Sequence, residues 1–183
     1  GEWILRAASL QAQQWRQAGH DDLRVSVNLS PRQFQKESIA ALLNVVECSG
    51  LERGMLELEI TEGILCEDAE ETVKIIERLK AAGARVCIDD FGTGYSSLSY
   101  LKQFPIDTLK IDRSFVNDIK PGSEALLTLA IVNLAHSMKI DLVAEGVETS
   151  AQRDFLLRKG CPIMQGYFFS RPVPAEEVTR MLE

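Results

Sequence analysis

Residues 85–96 read Arg85-Val86-Cys87-Ile88-Asp89-Asp90-Phe91-Gly92-Thr93-Gly94-Tyr95-Ser96. A strand pattern, Arg85–Asp89, runs into two adjacent carboxylates, Asp89 and Asp90, at the entry to a glycine-containing loop. Burying one carboxylate without a partner is costly, and burying two side by side is worse because like charges repel. A divalent cation removes the conflict, and an oxygen-rich cluster without histidine suits Mg2+, Ca2+ or Mn2+. The stretch therefore points to a metal site at a strand end, with the other ligands to come from elsewhere in the chain.

Outward from this stretch, short apolar segments alternate with helical ones. The strand candidates are Arg24–Leu29, Met55–Thr61, Arg85–Asp89, Thr108–Ile111, Asp141–Ala144 and Pro162–Gly166. Between them, Ala69–Ala82 carries Val73, Ile76, Leu79 and Lys80 at helical spacing and stops at Gly83. Ser30-Pro31-Arg32-Gln33 reads as an N-cap, a proline at the first helical position and a capping-box glutamine. Ser123–Met138, Ser150–Lys159 and Pro174–Leu182 complete the helical set. Strand–helix alternation means parallel strands with helical crossovers. A doubly wound open sheet would carry a Gly-rich phosphate turn after an early strand, and none is present. The expected fold is an α/β, TIM-type (β/α) barrel. Such a barrel takes about 250 residues. The expectation is therefore that residues 1–183 form a single, N-terminally incomplete domain, with the first one or two strand–helix units upstream of Gly1.

With 45% apolar and 26% charged residues, the chain has the composition of a folded globular domain. No apolar run approaches the length of a membrane span. The net charge of -7 disfavours a broad DNA- or RNA-binding surface but permits a phosphate-bearing substrate, because bound metal inverts the local field. Cys48, Cys66, Cys87 and Cys161 form no zinc-like spacing, and reduced thiols suit a cytoplasmic setting. His20 and His136 are far apart, which argues against a histidine metal site or a Ser-His-Asp triad.

In a barrel of this kind the chemistry sits at the carboxyl ends of the strands. Here those ends carry Asn28, Glu59, Asp89 with Asp90, Lys110, Glu145 and Gln165, at separations of 20 to 35 residues. Each alone has a structural explanation: Asn28 or Gln165 as a turn residue, Glu59 on a half-exposed strand, Lys110 snorkelling to water, Glu145 and Glu148 as helix-start acids. Six strands ending in groups able to bind metal or move protons outweigh those separate explanations. Asn28, Glu59 and Asp89 offer oxygens to one ion, and Asp89 with Asp90 can bridge to a second. Two ions ~4 Å apart are suited to clamp a phosphodiester. Lys110 supplies a fixed positive charge near the transition-state oxygens, Glu145 a proton acceptor or ligand, and Gln165 hydrogen bonds to substrate or water. The same residues also permit an unrelated barrel enzyme that abstracts a proton beside Mg2+.

The strings VNLS (27–30), ELEITE (57–62), DDFGTGYSSL (89–98), LKID (109–112), AEGVE (144–148) and QGY (165–167) resemble the EAL domain family along the whole chain. The resemblance implies a modified TIM barrel that opens cyclic di-GMP to linear pGpG in bacterial second-messenger signalling. By that resemblance Asn28, Glu59, Asp89 and Asp90 fall on metal-ligand positions. Lys110 and Glu145 fall on catalytic positions and Gln165 near substrate and metal. Glu62 anchors the loop after Asp90, with Asp112, Glu148, Gly92 and Gly94 in support. It further implies two Mg2+ or Mn2+ ions, inhibition by Ca2+ and a homodimer through the loop after Asp90. Sensory or GGDEF domains would be attached, and a membrane-tethered parent would keep this domain on the cytoplasmic side. The Glu-Ala-Leu motif that names the family is absent from residues 1–183 and is expected upstream. The fragment alone then lacks one metal ligand and can be inactive where its parent is not. The alternative is a non-catalytic cyclic di-GMP receptor.

Overall fold

The computed structural model of the chain describes residues 1–66, 68–94, 101–120 and 122–183. The elements run α1 (Glu2–Gln17), β1 (Val25–Asn28), α2 (Lys36–Cys48), β2 (Leu56–Thr61), a 3-10 turn (Glu62–Cys66), α3 (Ala69–Ala81) and β3 (Arg85–Phe91). They continue with β4 (Thr108–Ile111), α4 (Arg113–Asn117), α5 (Leu126–Met138), β5 (Asp141–Ala144), α6 (Ser150–Arg158), β6 (Ile163–Met164) and α7 (Ala175–Leu182). The strands form a six-stranded parallel sheet, curled as part of a barrel, in which spatial order equals chain order. That succession belongs to the TIM-type barrel; a doubly wound sheet reverses its strand order partway. Among the described residues no helix is long and apolar enough to cross a membrane.

Strand alternation divides the sheet into two faces. Leu58, Ile60, Val86, Ile88, Leu109, Ile111 and Ala144 are fully buried in the continuous apolar core, with α3 and α5 against the sheet. Each such leucine or isoleucine contributes about 1.5–3 kcal/mol by its burial. The intervening residues, Glu57, Glu59, Thr108 and Lys110, are also buried but pair with one another across the other face. A TIM-type barrel interior is ordinarily filled by branched apolar side chains. Here it is polar, and that difference makes room for chemistry.

Local signals explain the helices that carry the sheet. α3 starts at Asp68, whose carboxylate accepts the Glu71 N–H at 3.1 Å; Glu70 and Glu71 stand in its first turn and Arg78 and Lys80 in its last. Its buried face is Thr72, Ile75, Ile76 and Leu79, slightly rotated from the expected stripe. α6 starts with a full capping box between Thr149 and Gln152. The Ser30–Gln33 signal is a correction. Gln33 Oε1 does accept from the Ser30 N–H at 3.2 Å, but the segment closes as a turn and α2 begins only at Lys36. α5 likewise starts at Leu126 instead of Ser123, after Ala125 in a left-handed conformation. The strand carrying Asp89 runs on to Phe91, past both acids.

Candidate active site

The upper ring of the concave face is assembled from residues far apart in sequence. In the pairing of β1 with β2, Asn28 stands beside Glu59. Lys110, on β4, is 5% exposed and is surrounded by three carboxylates. Its Nζ lies 2.8 Å from Glu59 Oε2, 3.1 Å from Asp89 Oδ1 and 2.6 Å from Glu145 Oε1. Burial pulls the Lys110 ammonium down, but its hydrogen bonds to Glu145 and Glu59 outweigh burial and hold it well above the usual lysine value. It is therefore a permanent cation. Burial pushes the Glu145 carboxyl above its ordinary value; Lys110 opposes that shift, and Asp89 and Glu59 add to it.

Asp89 and Asp90 should point to opposite faces of a regular strand. They do not, because the β3–β4 pairing slips between Ile88 and Phe91 and Asp90 adopts a left-handed φ of 54°. This β-bulge turns Asp90 back toward Asp89. Oxygens of Asp89, Asp90 and Glu145 consequently all lie within 4.8 Å of one another. The Asp90 carboxyl is raised, first by burial and then by the charges of Asp89 and Asp112. Burial also acts on Asp112, but hydrogen bonds from Ser114 overcome it and hold that carboxyl low. Asp112 accepts the Ser114 N–H at 2.9 Å and so caps α4. Three convergent carboxylates, with Asn28 and Glu59 at the adjoining strand ends, are a hard-oxygen donor set that fits a divalent cation of the Mg2+ or Mn2+ kind.

The turn after β3 is held from β2's end. The Gly92 and Gly94 N–H groups donate to Glu62 Oε2 at 2.9 and 3.1 Å. Gly92 has a φ of 95°, and a Cβ there would sit 2.7 Å from the Phe115 ring. The remainder of the DDFGTGYSSL string, from Tyr95, and with it the expected dimer segment, lies outside the described residues. Gln165 lines a cleft of about 310 Å³ with Glu59 and Lys110. Glu148 is exposed, and its backbone N–H donates to Gln152 Oε1 at 2.8 Å. The strand-end residues Glu59, Asp89, Lys110 and Glu145 thus form one connected set with Asp90; Gln165 borders it, and Glu148 stands apart.

Below this ring lies a second polar layer that the sequence reading passed over. Glu57 Oε1 accepts from Thr108 Oγ1 at 2.6 Å and from Arg85 Nε at 3.2 Å, with Arg24 at 3.5 Å. Arg85 Nη2 donates to Asp141 Oδ2 at 2.6 Å. The signal was the alternation Glu57-Leu58-Glu59 on a strand covered on both faces, where neither acid can be a surface residue. His136 has the structural role its helix suggests, with Nε2 3.0 Å from the Gly160 carbonyl oxygen.

Fold and site together define a TIM-type barrel domain with a cluster of carboxylate oxygens at the strand ends that could hold a metal ion. The family model of the EAL domain matches residues 1–172, and the chain belongs to the EAL domain family. The bifunctional diguanylate cyclase/cyclic di-GMP phosphodiesterase MucR of Pseudomonas aeruginosa is 44% identical over 97% of the chain and 26% of its own length. Its solved phosphodiesterase–c-di-GMP complex superposes with a TM-score of 0.90, over 97% of this chain and 73% of that one. The EAL domain of Mycobacterium smegmatis DcpA gives a TM-score of 0.91 at 41% identity, over 100% of this chain and 83% of that one. The manganese/cy-diGMP complex of Klebsiella pneumoniae BlrP1 gives 0.77 at 31% identity, over 91% of this chain and 43% of that one. The chain spans about a quarter of the length of the curated relatives it matches.

Proposed function

We propose that this domain hydrolyses cyclic di-GMP to linear pGpG with the help of divalent metal. The observation that carries the reading is the meeting of Asp89, Asp90 and Glu145 oxygens within 4.8 Å, beside the Lys110 cation. The names of its relatives, MucR and the Escherichia coli cyclic di-GMP phosphodiesterase PdeR, support the substrate. Asn28, Glu59, Asp89 and Asp90 would hold two Mg2+ or Mn2+ ions, which supply Lewis acidity toward the phosphodiester and toward its attacking water. Ca2+, which favours more ligands at longer distances, would occupy the same oxygens and inhibit.

The chain's own residues do the rest. Lys110, fixed by three carboxylates, presents positive charge where negative charge grows on the phosphoryl oxygens. Glu145, raised by its burial, is suited to accept the proton of the attacking water. Gln165, in the cleft wall, donates hydrogen bonds to the substrate. Glu62 keeps Gly92 and Gly94, and through them the acids of β3, in place. The domain acts in the cytoplasm, in keeping with its free thiols at Cys48, Cys87 and Cys161, as one module of a dimeric signalling protein.

The test uses the full-length protein with cyclic di-GMP and Mg2+ or Mn2+, separating products by anion-exchange chromatography. Linear pGpG is expected, and Asp89→Asn removes it. Binding without product from the wild-type protein would favour the receptor reading, and neither binding nor product would overturn both.

A further inference from the structure

β2 and β4 are not neighbours in the sheet, yet their side chains meet twice across β3 on the polar face. Lower in the barrel, Thr108 Oγ1 donates to Glu57 Oε1 at 2.6 Å. Two residues further along both strands, Lys110 Nζ donates to Glu59 Oε2 at 2.8 Å. The two contacts are successive rungs of one ladder, about 7 Å apart along the strands, because a strand advances about 3.3 Å per residue. Cys87 of β3 lies between the rungs. It is the register partner of Glu59 on one side and of Thr108 on the other, and it is fully buried.

The lower rung is held to a fixed length. Glu57 and Thr108 are both buried. Arg85, on β3, grips both ends: its Nε donates to Glu57 Oε1 at 3.2 Å and its Nη2 to Thr108 Oγ1 at 3.1 Å. Glu57 Oε2 also accepts from Ser26 Oγ at 3.4 Å. A buried network with its members paired rigidifies the strands that carry it. The upper rung is different, because Lys110 ends a flexible four-carbon stem. Where its ammonium meets Glu59 depends on where β2 and β4 stand.

We infer that Glu57 and Thr108 are positioning residues for the metal site: their hydrogen bond across β3 fixes the separation of β2 and β4 at which Glu59 and Lys110 meet. They act through the strands and through Lys110 and Glu59, not by touching ion or substrate. The inference rests on the metal-dependent reading of the site, and its first measurement needs ion binding alone.

The test uses the full-length protein. Mn2+ affinity is read from the electron paramagnetic resonance signal of free ion, and kcat and KM from pGpG formation. Thr108→Val keeps the side-chain shape and removes the hydroxyl, leaving Glu57 paired with Arg85. It is expected to weaken Mn2+ binding and to lower kcat about tenfold each, the lower end of what disturbed support of metal ligands costs. KM for cyclic di-GMP should not move. Thr108→Ser restores the hydroxyl and should restore both values; Thr108→Cys, a weaker donor, should fall between and keeps the series readable if the valine variant does not fold. Ile76→Val, in the apolar core, is the control: it should lower thermal stability without changing Mn2+ affinity. Wild-type Mn2+ affinity in Thr108→Val would overturn the inference. So would a loss in Thr108→Ser equal to that in Thr108→Val, or the same loss in Ile76→Val. A wild-type protein that binds no Mn2+ and makes no pGpG would overturn the metal-dependent reading itself, and this inference with it.

Discussion

Glu62 Oε2 accepts the Gly92 N–H at 2.9 Å, so a carboxylate at the end of β2 fastens the turn that follows the acids of β3. The same oxygen takes the Gly94 N–H at 3.1 Å, and Glu62 is only 5% exposed. Glu62→Ala leaves both donors without this acceptor inside the protein. Urea unfolding is expected to show a loss of about 2 kcal/mol, within the range for stranding buried donors. Turnover should fall with it, because the turn no longer holds Asp89 and Asp90 together. Glu62→Gln keeps an acceptor oxygen in nearly the same place and should recover most of the stability. If Glu62→Ala unfolds at the wild-type urea midpoint, the anchor is not structural.

Lys110 is the only cation among the three carboxylates that it contacts in the described residues. Lys110→Met leaves Glu59, Asp89 and Glu145 facing one another without it. Breaking a buried pair from one side costs about 3–5 kcal/mol, and that is the expected loss for the metal-free domain. Mg2+ can replace part of the missing charge, so saturating Mg2+ should stabilise the variant more than the wild type. Equal stabilisation of both proteins by Mg2+ would mean that ion and lysine do not share a charge environment.

These two contacts show what was legible in the sequence and what was not. The strand ends announced themselves, because polar residues closing apolar segments have few structural uses; Asn28, Glu59, Lys110 and Glu145 fall within two residues of the carboxyl ends of β1, β2, β4 and β5. The strand order also followed, from strand–helix alternation together with the lack of a Gly-rich phosphate turn after an early strand. The β-bulge did not, since nothing in Ile-Asp-Asp-Phe signals a left-handed φ at Asp90. Only the requirement that two adjacent acids share one site could have demanded a break in alternation. The lower ring of Arg24, Glu57, Arg85, Thr108 and Asp141 escaped because its members lie at the opening ends of strands, where a charge reads as solvent exposure. The displaced start of α2 reflects a capping signal strong enough to close a turn on its own.

Cys161 gives a pH-dependent test away from the acids. It is fully buried, its Sγ 3.6 Å from the Ile163 carbonyl oxygen, and burial pushes its thiol from 9.0 to about 12. Above pH 9 the unfolded chain loses this proton while the folded protein keeps it. The unfolded state then binds fewer protons, so stability falls as pH rises from about 9 toward 12. Urea unfolding at pH 8.5 and 10.5 should show this decline, and Cys161→Ala should reduce it. An identical decline in the variant would assign the alkaline loss to other groups.

Asp90 sets stability against function at one position. Its φ of 54° disfavours an L-residue, whereas glycine accepts it freely. Its carboxyl also faces Asp89 and Asp112, which oppose its ionisation. Asp90→Gly removes both burdens and should stabilise the metal-free domain by about 0.5–1 kcal/mol. The same change removes one of three convergent carboxylates proposed to hold the ion, so Mg2+-dependent stabilisation and turnover should fall sharply. Asp90→Asn separates the causes. Asparagine tolerates the left-handed conformation about as well as aspartate, so a gain shared with Asp90→Asn comes from charge, and a gain confined to Asp90→Gly comes from the backbone. Thermal melts of the wild type and both variants, with chelator and then with Mg2+, read both effects. Unchanged Mg2+ stabilisation in Asp90→Gly would remove Asp90 from the metal site.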